Sequence, residues 1–508
     1  MHEVMRDDSR SRCLVTGATG YIGGRLVPRL LAAGYRVRCL ARQAGRLRDA
    51  PWAGEVEIAV GDVSRAETLA AALDGVEVAY YLIHSLGQRS FEAADRAGAA
   101  NFATAARAAG VRRIVYLGGP EPTGRSISAH LRSRTEVGRI LLDSGVPTAV
   151  LRAPVIIGSG SASFEMLRYL TERLPVMITP RWVRNRIQPI AVRDVLAYLT
   201  ESAALPPEVN QGFDIGGPEV LTYAEMMHRY AAVAGLRRRI LLPVRALSPR
   251  LSSYWVGLVT PVPGAIARPL VESLIHEAVA RDHEIARYLP ERPLLGFDDA
   301  VRLALARIRD TAVETRWSSA AGRDAPAEPL SSDPAWSGGS RYTDLRSQPV
   351  AAPAEALWRV IEGVGGQHGW YSFPLAWSVR GWLDTVFGGV GLRRGRRDPH
   401  RLYVGEALDF WRVEEIERGR LLRLRAEMRL PGRAWLELRA EPTGDGDGSV
   451  FHQRAVFLPR GLAGQLYWAA VAPFHAVIFG GMARNIARQA ERALELGSPE
   501  SVCAADQG

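Results

Sequence analysis

The sequence predicts an α/β protein, in which a doubly wound parallel sheet with helices on both faces is followed by a smaller α+β module. Two observations carry this prediction. Short apolar runs alternate with Ala-rich helical stretches through the first 150 or so residues, and beyond residue 340 the pattern changes to alternating segments and a long final helix. With 508 residues, the chain can build separate cores for both parts.

Six buried strands are expected in the first part, each a short apolar run bounded by polar residues or glycine. Ile22, Leu26 and Leu30 stand at helical spacing after the first of them. Strands separated by helices in this way form a parallel sheet. The predicted strands cover residues 14–17, 37–40, 56–60, 78–83, 114–117 and 148–152.

The second part is predicted from a different pattern. A short helix at 354–364 precedes four alternating segments, and a helical pattern at 462–496 closes the module. The strand segments are 403–417, 421–428, 434–440 and 450–457. We therefore expect a disordered N-terminus (1–11), the α/β domain (12–310), a Ser-, Ala-, Gly- and Pro-rich linker (311–340), the α+β domain (341–496) and a disordered tail (497–508).

Composition excludes several classes of function. The formal charge is +10, but every Lys or Arg position is Arg, and the arginines are spread along the chain, so no nucleic-acid partner is expected. The complete lack of Lys excludes Schiff-base and Walker-type lysines. Three scattered cysteines form no disulfide framework or metal pattern, and the charged first residues contain no secretory signal. We expect a cytoplasmic location and no metal.

The strongest motif is the glycine-rich turn at 16–24, which lies between the first strand and the first helix. Gly17 permits the tight turn, Gly20 lets the backbone approach a pyrophosphate, and Gly23 lets the helix pack against the strand. The helix N-terminus offers free N–H groups to phosphates. The motif predicts dinucleotide binding by Gly17, Thr19, Gly20, Tyr21, Ile22 and Gly23; the alternative is a turn kept for packing.

The second strand favours NADP(H) over NAD(H). Residues 17–48 contain no Asp or Glu to hold ribose hydroxyls, and Arg42 stands where a 2′-phosphate would lie. The alternative for the arginines of this region is an Arg-rich background. Asp62, after the third strand, is placed to accept from the adenine amino group, with Val63 beside it; a helix cap is the alternative.

Further segments match a known family in the same order. They are 80–86 (Tyr-Tyr-Leu-Ile-His-Ser-Leu), 151–158 (Leu-Arg-Ala-Pro-Val-Ile-Ile-Gly), 188–194 (Gln-Pro-Ile-Ala-Val-Arg-Asp) and 213–217 (Phe-Asp-Ile-Gly-Gly). With the glycine turn, residues 12–310 resemble the extended and atypical short-chain dehydrogenase/reductases, in particular NmrA-like proteins and the 39-kDa subunit of respiratory complex I. The resemblance implies a Rossmann fold with Leu82, His84 and Pro154 beside the nicotinamide.

The sequence departs from that family at the catalytic centre. The family uses a Ser, a Tyr and a Lys four residues after the Tyr, whereas the corresponding helix here offers His130 and Arg134. These two share a helical face, and His130 can exchange protons near neutral pH while Arg134 can hold the ribose. The alternative is that both are ordinary helix residues. Ser126, Ser128 and Tyr116 are spare hydroxyls nearby.

Residues 340–495 resemble the DUF2867 domain through segments 369–371, 391–398 and 409–411, and their pattern is similar to a helix-grip fold of the START or polyketide-cyclase kind. That likeness implies a pocket for an apolar small molecule, although each aromatic is individually more typical of a core. The candidate lining residues are Trp370, Tyr371, Trp377, Trp382, Phe410, Trp411, Trp435, Tyr467, Trp468 and Phe474.

Residues 461–483 carry no formal charge, which indicates a buried helix or, alternatively, peripheral membrane contact. The whole pattern predicts an NADP(H)-binding oxidoreductase that reduces a carbonyl or quinone-like apolar substrate. Two alternatives remain open: a non-catalytic NADP(H)-binding sensor or assembly protein of a redox complex, and an isomerase, epimerase or dehydratase on the same fold.

Overall fold

The computed structural model describes most of the chain in two compact units, Met1–Gly339 and Ser340–Gly508. The described residues are 11–48, 50–84, 91–121, 128–244, 259–274, 276–289, 291–312, 339–365, 370, 401–444 and 447–497.

A seven-stranded, all-parallel sheet organises the first unit, in the order β3-β2-β1-β4-β5-β6-β11. The chain therefore turns back between β1 and β4, which is the point where doubly wound sheets bind ligands at the carboxyl ends of their strands. Its strands are β1 (Arg12–Thr16), β2 (Arg36–Ala41), β3 (Glu57–Val60), β4 (Val78–Tyr81), β5 (Arg113–Gly118), β6 (Thr148–Arg152) and β11 (Gln211–Asp214).

Helices cover both faces of this sheet, so its inner strands β1, β4, β5 and β6 are buried on both sides, whereas the edge strand β3 is partly exposed. Alternate residues of β1 show this: Val15 packs with Leu26 of the first helix, whereas Leu14 packs with Phe102 of the third. The helices of the first unit are α1 (Tyr21–Ala32), α2 (Leu69–Leu73), α3 (Phe91–Ala108), α4 (Ala129–Leu142), α5 (Ala162–Arg173), α6 (Val192–Glu201), α7 (Tyr223–Val233), α8 (Gly264–Ser273) and α9 (Phe297–Ala312).

A second apolar cluster in this unit joins α5, α7, α8 and α9. Three two-stranded ribbons connect it to the sheet: β7 (Ile156–Ile157) with β10 (Ile190–Ala191), β9 (Arg186–Ile187) with β12 (Leu221–Thr222), and β8 (Val176–Pro180) with β13 (Ile240–Val244). This lobe lies beyond the carboxyl ends of β5 and β6 and supplies further walls for the site described below.

The second unit is a six-stranded antiparallel sheet in the order β14-β19-β18-β17-β16-β15. Its elements are β14 (Tyr342–Val350), α10 (Ala354–Glu362), β15 (Ala407–Leu408), β16 (Trp411–Glu417), β17 (Leu421–Ala426), β18 (Gly432–Pro442), β19 (Ser449–Pro459) and α11 (Gly461–Gly497). Leu422, Leu436 and Ala455 point from one sheet face into a core with Leu357 of α10 and Ile486 of α11. The α+β expectation is confirmed.

The six predicted strands of the first unit are also confirmed, each within two residues at either end. The sequence pattern missed β14, because this strand alternates polar residues with few apolar ones and carries Pro349 at the edge of its sheet. The segment 403–417, expected as one strand, is instead divided between β15 and β16 by a turn at Asp409, which has φ +53°.

None of the described helices is by itself long and apolar enough to cross a membrane. The two parts of α11, Gly461–His475 and Val477–Leu494, are bent by 44° and reach the required length and composition only when taken together.

Candidate functional site

The turn between β1 and α1 has the backbone geometry that the glycine motif predicts. Gly17 has φ +70°, a conformation that glycine adopts without steric cost, and a Cβ there would stand 2.7 Å from the carbonyl oxygen of Leu82. A Cβ on Gly23 would stand 2.3 Å from the carbonyl oxygen of Gly17. Glycine at both positions therefore lets α1 begin directly against the end of β1.

The N-terminus of α1 is uncapped by any side chain. Gly20 is its N-cap residue, in an extended conformation, and the first turn contains no acidic residue. The first N–H groups of a helix lack partners within the helix, and the helix dipole adds positive potential at that end. This 12-residue helix thus presents the donors that a pyrophosphate requires.

A cavity of about 420 Å³ extends from this turn along the carboxyl ends of β4, β5 and β6. It brings together most of the site residues that the sequence predicts. Those that line it are Gly17, Gly20, Tyr21, Ile22, Gly23, Leu82, His84, His130, Arg134 and Pro154. The glycine turn and the two histidines therefore belong to one cavity.

Four predicted residues do not line this cavity: Thr19, Arg42, Asp62 and Val63. Asp62 accepts a hydrogen bond from the Ser64 N–H at 2.9 Å. Burial raises the pKa of the Asp62 carboxyl, but the Ser64 hydrogen bonds and the Arg42 charge outweigh that effect and hold the pKa below its usual value. The Asp62 carboxylate is therefore ionised, it holds a local turn through Ser64, and the charge of Arg42 helps to lower its pKa.

The arginines around β2 have different roles. Arg36 and Arg38 both pair with Glu57 of β3, at 3.2 and 2.9 Å, and Arg38 also donates to the carbonyl of Asp74. Arg42 is exposed just beyond the end of β2 and has no hydrogen bond or ion pair to any other described residue. Arg36 and Arg38 are thus committed to the fold, whereas the guanidinium of Arg42 is available to a ligand.

Two histidines and a buried carboxylate form a chain that ends at the cavity. His84 Nδ1 lies 2.9 Å from Asp95 Oδ2, and His84 Nε2 lies 3.1 Å from His130 Nδ1. Ser133 donates from its hydroxyl to the same Asp95 oxygen at 3.0 Å. Because Nδ1 of His130 faces His84, Nε2 is the ring nitrogen that remains for a ligand.

Burial controls the protonation of this pair. It lowers the pKa of His130 to about 3, with His84 and Arg134 acting in the same direction and Asp95 opposing them. Burial also lowers the pKa of His84, although its hydrogen bond to Asp95 opposes the shift. Both imidazoles are therefore neutral at pH 7 in the absence of a ligand.

Arg134 lies at the cavity wall, one helical turn after His130. It donates to the carbonyl of Leu117, and its guanidinium carbon lies 5.1 Å from the centre of the Tyr116 ring. The Tyr116 hydroxyl donates to the Arg134 carbonyl at 3.3 Å, and Ser128 caps α4. Tyr116 and Ser128 thus have structural partners, and Ser126 lies outside the described residues.

Asp95 and Ser133 were not predicted from the sequence. Asp95 is 4% exposed and lies on the buried face of α3 with Gly98, Ala99 and Phe102. An acid at helical spacing within an apolar face is a signal that the sequence contains, since a buried charge requires a partner. Among the described residues, no cluster of metal-ligating side chains accompanies it.

A second cavity, of about 210 Å³, lies wholly within the second unit between the sheet and the first half of α11. Trp411, Trp435, Tyr467, Trp468 and Phe474 of the expected aromatic set line it. Trp370 and Phe410 are instead part of the apolar core, and Tyr371, Trp377 and Trp382 lie outside the described residues.

Comparisons with known families divide the chain as the two units do. Residues 17–153 match the NAD(P)H-binding family, and residues 336–482 match the family described as "Protein of unknown function (DUF2867)".

The relatives of this chain include enzymes. It is 30% identical to the ceramide reductase of Caulobacter vibrioides over a match of 246 residues, and this match covers 47% of this chain and 75% of that protein. It is 24% identical to the 2-alkyl-3-oxoalkanoate reductase of Shewanella oneidensis, over 55% of this chain and 79% of that protein. Among solved structures, the triphenylmethane reductase of Citrobacter sp. complexed with NADP(H) superposes with a TM-score of 0.47 and 20% identity, over 58% of this chain and 99% of that one.

Proposed function

Because this chain belongs to the NAD(P)-binding, NmrA-like family of short-chain dehydrogenase/reductase relatives and carries a C-terminal DUF2867 domain, we propose that it is an NADP(H)-dependent reductase. Its substrate in this proposal is an apolar carbonyl or quinone-like compound. The reaction adds hydride to the substrate from one side and a proton to the substrate oxygen.

One observation carries the proposal: the cavity that begins at the glycine turn also contains a hydrogen-bonded histidine pair with a buried carboxylate behind it. A reduced nicotinamide supplies hydride when bound, but the protein must supply the proton. The family's Tyr and Lys are absent. Of the two cavity histidines, His84 uses both ring nitrogens within the protein, so His130 is the one that can exchange a proton with a substrate.

The hydrogen bonds define the route by which the proton reaches the substrate. Asp95 accepts from His84 Nδ1–H, so a neutral His84 offers a lone pair at Nε2 to His130 Nδ1–H. When the pair gains one proton, both nitrogens of His84 carry hydrogen, His130 Nδ1 becomes the acceptor, and His130 Nε2–H becomes a donor. Donation from His130 Nε2 to the substrate oxygen then draws the His84 Nε2 proton onto His130 Nδ1.

Arg134 and Arg42 hold the two ends of the dinucleotide in this proposal. Arg134 retains N–H groups beyond the one that binds Leu117, and these can donate to ribose hydroxyls at the cavity wall. Arg42, free of the Glu57 pairs that engage its neighbours, binds the 2′-phosphate and gives the preference for NADP(H).

An apolar substrate fits the far end of the cavity. Val155, Ile156 and Met166 line it there, together with Leu270 and Leu274 of the helical lobe. The C-terminal domain is proposed to hold an apolar small molecule in its own aromatic cavity. We propose a cytoplasmic location, with peripheral membrane contact through residues 461–483 as the alternative.

A non-catalytic sensor or assembly role is the competing proposal. The neutral state of His130 favours it, because an imidazole with a pKa of about 3 is rarely protonated at pH 7. In that case NADP(H) would bind at the glycine turn without being oxidised.

Turnover assays separate the two proposals. We expect the full chain to oxidise NADPH, followed at 340 nm, with at least one member of a panel of long-chain aldehydes, 3-oxo esters and naphthoquinones. His130→Gln should slow that reaction by about 100-fold, the contribution typical of a positioned acid, with NADPH affinity unchanged. Binding without turnover across the panel would support the sensor role, and full activity in His130→Gln would remove His130 from the mechanism.

A further inference from the structure

Two of the side chains that line the cavity of the second unit each carry a buried polar atom without a hydrogen-bond partner among the described residues. The two atoms are Nε1 of Trp411, on β16, and Nδ1 of His475, on α11. Trp411 is 4% exposed, so its indole N–H is removed from bulk water. A buried polar atom that finds no partner costs about 1–3 kcal/mol, and a ligand that forms a hydrogen bond with it would recover that energy.

Charge restricts the ligand further. None of the side chains that line this cavity carries a formal charge apart from a protonated His475, and burial lowers the pKa of His475 to about 4, with Arg346 in the same direction and Asp344 opposing it. The cavity wall is therefore neutral at pH 7. Because an unpaired charge is strongly disfavoured in an apolar site, the ligand must be neutral too.

The shape of the wall favours a flat ring. Trp468 is stacked on Tyr342 at 4.9 Å and on Phe457 at 5.7 Å, and His475 is packed between Trp468 and Phe479. Phe474 lines the cavity yet is 67% exposed, which puts it at the cavity mouth. The interior is thus built from aromatic faces that are held in place by one another, with an opening toward solvent.

We propose that this cavity binds a neutral, planar, oxygen-bearing ring compound of the quinone class. Its carbonyl oxygens accept hydrogen bonds from Trp411 Nε1–H and from the Nδ1–H tautomer of His475. This inference rests on the proposed apolar-ligand role of the C-terminal domain, and it adds the atoms that recognise the ligand and the ligand's chemical class. It is independent of the nucleotide cavity.

The chain offers a matched control for this site. Trp435 also lines the cavity, but its Nε1 donates to Glu414 at 2.9 Å and is therefore already occupied. Trp411→Phe and Trp435→Phe make the same indole-to-phenyl change, and only the first removes an unoccupied donor. A loss of ring volume alone would affect the two variants similarly.

The test is calorimetric titration of the full chain with 1,4-naphthoquinone, and with its 2-sulfonate as an anionic analogue, in the absence of NADPH. We expect one site that Trp411→Phe and His475→Phe each weaken about three- to tenfold more than Trp435→Phe does, and that binds the sulfonate at least tenfold more weakly. The inference is overturned if naphthoquinone does not bind, if both tryptophan variants lose affinity equally, or if the sulfonate binds as tightly as naphthoquinone.

The same titrations in Gly23→Ala and His130→Gln separate this inference from the proposed reductase function. Both substitutions lie in the first unit, so the site affected by Trp411→Phe should persist in them. If the site affected by Trp411→Phe is absent but wild-type protein still oxidises NADPH with an aldehyde, only the C-terminal inference fails. If NADPH oxidation is absent and the site remains, only the reductase proposal fails.

Discussion

Replacing Asp95 by Asn removes the charge behind the histidine pair while preserving the shape of the side chain. Asp95 lies 2.9 Å from His84 and 3.0 Å from Ser133, and it does not line the cavity. A hydrogen bond to a charged group contributes about 1.5–3 kcal/mol. Its loss should slow NADPH oxidation by about 10- to 150-fold, since 1.4 kcal/mol corresponds to a factor of ten.

The pH dependence gives the same prediction a second readout. Reduction requires the protonated pair, and the carboxylate opposes the lowering of the His84 pKa that burial causes. Without that opposition the pair binds its proton less tightly, so the pH at which kcat falls should move one to two units lower, the shift that corresponds to about 1.5–3 kcal/mol. The apparent pKa belongs to the pair as a whole.

Glu92→Gln is the matched control, since Glu92 lies on the same helix and pairs with Arg132 of α4 at the surface. It removes one carboxylate from the same helix pair without touching the histidines. The assay is stopped-flow NADPH oxidation between pH 5 and 9, with NADPH affinity measured separately. Equal effects of the two variants, or an unshifted pH profile in Asp95→Asn, would refute the histidine relay, that is, proton transfer through Asp95, His84 and His130.

Two further predictions test the cofactor end and the protonation state. Arg42→Ser should weaken NADPH binding by about tenfold or more, the value of a lost charge-assisted hydrogen bond, and leave NADH binding unaffected in fluorescence titrations. Arg29 is an exposed arginine at the far end of α1, and Arg29→Ser should change neither affinity. Equal losses of affinity for both dinucleotides would show that Arg42 does not bind the 2′-phosphate. The His130 pKa of about 3 lies below the unfolded value, so the unfolded chain binds the extra proton and stability falls as pH drops below about 6.5. Between pH 7.5 and 5.5 the wild type should lose about 1.4 kcal/mol more than His130→Gln in urea unfolding of the first unit. Identical losses would show that folding does not lower the His130 pKa.

The parallel sheet was predictable because its inner strands are buried on both faces, which leaves short apolar runs such as 114–117 and 148–152 in the sequence. The glycine turn was predictable because each glycine acts on its immediate neighbours: Gly17 through its own φ, and Gly23 through the adjacent Gly17 carbonyl. Both features are encoded within a few residues of chain.

The histidine relay was only partly predictable. His130 and Arg134 were found as a pair one helical turn apart. The partner of His130, His84, follows β4 and lies 46 residues earlier, and the carboxylate that bonds to His84, Asp95, is on α3, 35 residues before His130. Nothing local in the sequence shows that His84 and Asp95 will meet there. The tertiary packing of α3 against α4 makes that contact, and it also determines how far burial lowers the two histidine pKa values.

The C-terminal cavity shows the same limit. The sequence identified a set of aromatics but not which of them line the cavity. Trp370 and Phe410 belong only to the apolar core, whereas Trp411 belongs to that core and also lines the cavity. The decisive fact is that Trp411 Nε1 has no partner among the described residues while Trp435 Nε1 binds Glu414. That difference depends on contacts between strands.

Calorimetric titration of the full chain with NADPH tests the central claim, which is that a dinucleotide lies against the N-terminus of α1 in the cavity that contains His130. We predict one site per chain, lost in Gly23→Ala, where the new Cβ would displace the Gly17 carbonyl, and retained in His130→Gln, with circular dichroism showing both variants folded. Absence of heat with both NADPH and NADH, or equal affinity in folded Gly23→Ala, would contradict the account.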